Sequence, residues 1–397
     1  MVAEQQRTRT SRWPVVAAFA GVAAATQMVW LTFAPVTTAA SRHYDVSTTA
    51  IGWLAQPFVL LYVVLAIPAG IALDRNLRGW LAVGTGLVAL GAAVRVAGDS
   101  YALLMAGTLI AAVAQPLVVN SVTPIAAGYL DERDRPLGIA LMSASLFAGM
   151  LAAFVLGAVL SKSDQMPMLV AIQAGVAVVA AAALVLALRT KPVHRVVRAP
   201  AGLGAFRIAW NTTLVRRLCV FLFLPYGVFI AISTWTETLL NPAGVSDGQV
   251  GLLLALQVVA GIAGSALLPV WVARRRIEVP FAAFAMIVSA GACVALAVAP
   301  GFVTGLIALP ALGFVALAVL PIVLELTERG SEQAEGTASG LIWLAGNLGG
   351  LIVASVIGFT VDEQALSFLL LAGFVLAALP LLRRLRGPVA ELPPISD

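Results

Sequence analysis

Apolar residues gather into long runs separated by short polar segments. Twelve such runs fall at roughly 14–38, 50–73, 79–98, 102–126, 137–160, 167–188, 218–240, 248–273, 280–298, 302–325, 336–357 and 364–382, here spans 1 to 12. About 20 residues of helix, rising 1.5 Å each, cross the ~30 Å hydrocarbon core of a bilayer. No strand-like alternation is present, and lipid satisfies no backbone group, so each run is predicted helical. The expected fold is all-α and integral to a membrane, with twelve transmembrane helices in two six-helix bundles.

The polar segments set the organisation. With the N-terminus inside, 21 of the 24 Lys and Arg residues fall in cytoplasmic segments, and only Arg42, Arg95 and Lys162 are left at or near the outer side. This is the positive-inside pattern, with both termini cytoplasmic. The longest connection, residues 189–217, is "RTKPVHRVVRAPAGLGAFRIAWNTTLVRR", with no acid. It divides the chain into an N-terminal bundle (1–188), a cytoplasmic linker (189–217) and a C-terminal bundle (218–397). Its "FRIAW" has the character of a segment lying on the bilayer surface. The halves echo each other. "DERDRPLGIA" precedes span 5 and "TERGSEQAEGTASG" precedes span 11, as in a parallel duplication. Gly138, Ser143, Gly149 and Gly157 in span 5, and Gly340, Gly346, Gly349 and Gly350 in span 11, are read chiefly as close-packing positions.

Composition agrees. The chain is 61% hydrophobic and 11% charged, whereas soluble domains are about a quarter charged. A net charge of +5 and a pI near 9.7 invite a nucleic-acid reading, but the basic residues are spread over seven short segments as topology requires, so no nucleic-acid partner is expected. Cys219 and Cys293 lie in apolar runs, and His43 and His194 lie far apart in loops. No metal site is expected. The polar N-terminus leads into a full span, and no cleavable signal is predicted.

Span 2 is followed by "GIALDRNLRG", residues 70–79. This resembles the loop 2–3 signature of the major facilitator superfamily, Gly-x-x-x-Asp-Arg-x-x-Arg, with Gly70, Asp74, Arg75 and Arg78 in place. The bland alternative is a short charged turn. The resemblance implies a gate, in which Asp74 docks at the N-terminal dipole of span 11 near Gly336 and holds the halves together inside. The second-half counterpart, "VWVARRRIEV", has no Asp; Glu325 and Glu328 are expected to pair with Arg274–Arg276.

Polar side chains at mid-depth are costly, so each is a candidate site. Trp30, Gln115 with Asn120 below it, Asn347, and the group Thr234, Trp235 and Glu237 qualify. Trp30 lies too deep for an interfacial belt. Gln115 and Asn347 suit either a solute or a neighbouring helix. Trp235 suits packing as well as a ligand, and Glu237 suits a wet helix end as well as a cation. Gln27, Gln56, Tyr62, Gln173 and Gln257 are read as interhelical contacts.

The stretch "TQMVWLTFAPVTTAASRHYDVSTTAIGWLAQPFVLLYVVLAIPAGIALDR" resembles spans 1–2 of the feline leukaemia virus subgroup C receptor-related transporters. "AVAQPLVVNSVTPIAAGYLDERDR" resembles their span 4, while "YGVFIAISTWTETLLN" and "GTASGLIWLAGNLGG" align more loosely with spans 7 and 11. That family carries choline and related amines, and haem has also been proposed. The resemblance implies a site of Trp30 and Gln115, with the span-7 aromatic falling on Thr234 beside Trp235 and the span-11 glutamine falling on Asn347. An aromatic face attracts an alkylammonium through its quadrupole; Glu237 is placed to add attraction at the outer mouth.

Spans 1, 2, 4 and 5 contain no Asp, Glu or His in their cores, and span 5 lacks a Gly-Pro signature. Both absences favour facilitated diffusion over proton coupling, with Glu237 as the one candidate proton site. The expectation is an alternating-access carrier of a small organic solute, choline-like, in the cell membrane. It would act as a monomer, with lipid and solute as its partners and no cofactor. Export or proton-coupled carriage of another metabolite or drug is the alternative, and a non-transporting membrane receptor the minor one. An enzyme is disfavoured, because no nucleophile–base pair, metal cluster or phosphate loop is present.

Overall fold

The computed structural model describes residues 11–193, 207, 209–330 and 335–390; most of the connection between the halves, including part of "FRIAW", lies outside them. The described residues form helices joined by short turns. α1 (Trp13–Trp30) and α2 (Thr37–Tyr44) make up span 1. α3 (Thr48–Trp53) leads into α4 (Gln56–Val94), which covers spans 2 and 3. α5 (Tyr101–Val119) and α6 (Val122–Tyr129) make up span 4, and α7 (Arg135–Val159) and α8 (Met166–Ala187) are spans 5 and 6. The second half comprises α9 (Thr213–Leu240), α10 (Asp247–Arg275), α11 (Glu278–Val298), α12 (Phe302–Gly330) and α13 (Glu335–Thr360). It ends with α14 (Gln364–Ala377) and α15 (Leu379–Ala390). The result is twelve crossings in two six-helix bundles.

The 39 residues of α4 would measure about 58 Å if straight, nearly twice the hydrocarbon thickness. The chain instead doubles back at Asn76, whose φ of −154° and ψ of 83° are not helical. Asn76 Oδ1 accepts from the Gly79 N–H at 3.0 Å, capping the helix that restarts after it. Both ends of the folded stretch lie against the start of α5. The Tyr101 hydroxyl donates to the Ala50 carbonyl at 2.9 Å, and Gly91 packs on the backbone of Gly107 and Ala111. The reversal falls inside "LDRNLRG", where a loop is expected.

Spans 1 and 4 differ from the uninterrupted helices expected. Pro35 brings no N–H, so the helical ladder fails and turns fill 31–35. Arg95 Nη1 donates to the Val29 carbonyl at 3.0 Å, which also accepts from the Thr32 hydroxyl, and its guanidinium lies 5.3 Å from the centre of the Phe33 ring. Arg95 is therefore buried rather than placed at an outer surface. In span 4 the break comes at Asn120 and Ser121, just beyond Pro116.

The two halves repeat one packing device. A Cβ on Gly149 would fall 2.1 Å from the Ala24 carbonyl oxygen, and one on Gly349 only 1.8 Å from that of Phe223. The fifth helix of each half thus meets the first backbone to backbone. Gly138 on Leu130, Gly157 on Pro35, Gly346 on Tyr226 and Gly350 on Ile230 are also tight, while Gly340 faces open space.

At the end away from the N-terminus, called here the far end, the halves close on each other. Gly251 of α10 packs on Ala158 of α7, and Gly52 of α3 packs on the Trp235 ring of α9. Trp53 meets Trp235 and Phe359 at ring-centre distances of 6.4 and 5.6 Å.

Candidate functional site

The Trp30 indole stands where α1 ends. Its Nε1 donates to the Ala55 carbonyl at 3.0 Å, and its ring centre lies 6.5 Å from that of Phe58. That carbonyl belongs to the N-cap residue of α4, so span 2 fixes the indole orientation. Thr234 of α9 reaches the same place from the other half, its hydroxyl bonded back to the Ile230 carbonyl. Trp30, Thr234, Thr37, Phe33, Arg95 and Thr108 line a common void of about 10 Å³, room for one water.

Gln115 and Asn347 are buried but do not line that void. The Gln115 Oε1 has no hydrogen-bond partner, a costly state in an apolar interior. Asn347 Nδ2 donates to the Trp343 carbonyl at 2.9 Å. Asn120 accepts from the Tyr62 hydroxyl at 3.1 Å and donates to the Ala66 carbonyl; it braces span 2 against span 4. Trp235 is fully buried, its Nε1 bonded to the Ala354 carbonyl at 2.8 Å, and it is part of the far-end closure. Glu237 is fully buried one half-turn beyond it, beside Thr37 and Thr38.

Tyr226, Phe229 and Trp343 escaped the sequence reading. Tyr226 meets Phe229 and Trp343 at 6.2 and 6.0 Å. Two aromatic groups, Trp30–Phe58–Tyr62 and Tyr226–Phe229–Trp343, therefore come from opposite bundles. The available signal was a tyrosine midway along α9 and a tryptophan one turn before Asn347. Among the weaker candidates, Gln173 is an interhelical contact, accepting from the Thr32 hydroxyl at 2.5 Å. Both amide atoms of Gln56, at the start of α4, are unpartnered.

The signature residues are placed as follows. Arg78 donates through Nε to the Leu188 carbonyl at 2.8 Å, capping α8 within its own half. Arg75 is exposed, Asp74 half-buried, and Gly70 has open space beyond its Cα. In the second half, Arg329 pairs with Glu278 at 3.3 Å and Glu325 at 3.7 Å, while Arg275 stacks on Trp271. The arginine paired here with Glu325 is thus Arg329 of its own helix, which the expectation of Arg274–Arg276 did not name; the Glu328 side chain lies outside the described residues.

Two bundles of six membrane-crossing helices, closing over a buried aromatic and amide centre, define a multi-pass membrane carrier of small molecules. Residues 17–354 match the sequence model of the Major Facilitator Superfamily, and the chain belongs to that superfamily, whose members are transporters and not enzymes. Similar relatives include solute carrier family 49 member A3 of Danio rerio, 29% identical over 364 residues, covering 85% of this chain and 76% of the relative. The choline/ethanolamine transporter FLVCR2 of Homo sapiens is 23% identical over 383 residues, covering 89% and 72%. Among solved structures, an inward-facing, occupied bacterial homologue of the human lysosomal transporter Spinster superposes with a TM-score of 0.74 at 14% identity, covering 94% of this chain and 97% of that one. The nucleoside transporter NupG superposes with a TM-score of 0.71 at 14% identity, covering 94% and 100%.

Proposed function

We propose that the protein is an alternating-access carrier of a small alkylammonium solute of the choline class, working by facilitated diffusion. The carrying observation is that Trp30, its indole N–H held by the Ala55 carbonyl, lines a void that residues of both bundles share. Thr234 stands at the same void. The unpartnered Gln115 oxygen, the Asn347 amide, Tyr62 and Tyr226 complete the site. A neutral amide oxygen orients a cationic head group without a fixed counter-charge, and rings attract it by about 2 kcal/mol when desolvated. Trp235 and Glu237, at the far-end closure, act on the entry path. The similarity to a choline/ethanolamine transporter supports the same substrate class.

Lysine and arginine placement supports an N-terminus inside, a far end facing out and a plasma-membrane location. The domain division at 188 and 218, the monomeric state and the gate at Gly70, Asp74, Arg75 and Arg78 belong to this reading. So does facilitated diffusion, supported by the acid-free cores of spans 1, 2, 4 and 5.

A second reading has one specific observation in its favour. Arg95 is buried with its Nε unpartnered and lines the same void as Trp30. A solute carrying a carboxylate beside its ammonium would use both. Thermal stabilisation of the purified protein by a panel of amines, betaine-like zwitterions and simple anions separates the two. Choline-type amines stabilise under the first reading and zwitterions under the second; stabilisation by anions alone contradicts both.

A further inference from the structure

The first turn of α2 is capped from the opposite half. Its own N-cap residue, Val36, provides no side-chain acceptor. Instead, Asp247 Oδ2, at the start of α10, accepts from the Ala39 N–H at 3.0 Å. The Glu237 carboxylate lies beside Thr37 and Thr38 of the same turn and next to Asp247. Both Glu237 oxygens are fully buried, and neither makes a hydrogen bond of ordinary geometry. Two carboxylates from the C-terminal half thus meet at one helix N-terminus of the N-terminal half.

We propose that Glu237 and Asp247 form a proton-binding latch that holds the far gate shut. Side by side and out of water, two ionised carboxylates repel each other, and the partial positive charge of one helix end offsets only about half a unit. Every neighbour but one favours ionisation at Asp247: the Ala39 N–H, the Asn241 amide at 3.5 Å, and Arg42 at the exposed rim of α2. Glu237 has Thr37 and Thr38 on one side and the apolar Trp235 closure toward its own helix. The closed pair therefore holds one proton between its two carboxylates. When the halves part, α2 leaves and water reaches both carboxylates, which then ionise separately. Closing takes up a proton and opening releases it, so acid favours the closed far gate. The proton comes and goes at the far side, so the latch senses pH there without carrying protons across, in keeping with the facilitated diffusion of the proposed function. His43, also on α2, pairs with Asp99 at 2.7 Å and serves as the control position.

Spin labels on Lys162→Cys and Asp362→Cys, exposed far-end positions on opposite halves, report the gate in nanodiscs; the native cysteines are buried. As pH falls from about 8 to about 5, the open-to-closed ratio should drop, by up to about tenfold per pH unit for one proton. Glu237→Gln should stay closed at every pH. Asp247→Asn, which keeps an acceptor for the Ala39 N–H, should flatten the response, and His43→Gln should preserve it. The proposal is overturned by a parent protein indifferent to pH, by Glu237→Gln titrating like the parent, or by loss of the response in His43→Gln alone. If Glu237→Gln does not fold, an unchanged slope in Asp247→Asn overturns it. No solute is added and both faces see one pH, so failure of the amine reading or of the assigned orientation leaves this test intact.

Discussion

Trp30 joins a polar anchor to an aromatic ring at the edge of a small void. Its N–H bond to Ala55 fixes the ring, and the ring provides the attraction for a cation. Removing the ring with Trp30→Ala should cost about 2 kcal/mol of solute binding, roughly 30-fold in affinity. Trp30→Phe keeps a face but loses the anchor, so it should bind between the two, as titration calorimetry with choline would read. Trp30, Gln115 and Glu237 were legible in the sequence because a polar or amphipathic side chain in lipid stands out against its neighbours. Tyr226 and Trp343 were not, because within an apolar run an aromatic reads as one more hydrophobe. The cap that Asp247 provides for α2, with Glu237 beside it, was equally hidden, since nothing local to either segment records a partner about 200 residues away.

At the scale of elements, hydropathy gave the spans well because it is a local property summed over a window. The breaks inside them depend on distant contacts. Pro225, Pro269, Pro310 and Pro321 lie within helices that continue through them, whereas turns fill 31–35 up to Pro35. Proline alone does not tell the two outcomes apart. Close helix packing is more predictable. Gly349→Val drives a side chain into the Phe223 carbonyl and should destabilise by at least 1–3 kcal/mol, on the order of other overpacked positions. Gly340→Ala, with open space around it, should leave the melting temperature nearly unchanged. The reversal at Asn76 puts Asp74 at the tail end of span 2, the first limb of α4. Under the proposed gate, Asp74→Asn loosens that end, and Asn347→Cys should then react faster with a thiol reagent applied from the N-terminal side. Unchanged labelling argues for a charged turn without a gating role.

For the whole molecule, the far end is shut by Trp53, Trp235, Phe359 and the cross-half cap on α2, and the void at Trp30 holds no more than a water. A choline-sized solute does not fit the void beside Trp30, so under the proposed function the bundles rock apart for binding and release. A carrier working this way exchanges solute for solute faster than it returns empty. Counterflow in proteoliposomes loaded with unlabelled choline, with radiolabelled choline outside, tests this most directly. The account predicts transient, saturable accumulation of label above equilibrium that Trp30→Ala abolishes at low concentration. Uptake no greater than in protein-free liposomes, or accumulation that Trp30→Ala leaves intact, would contradict it.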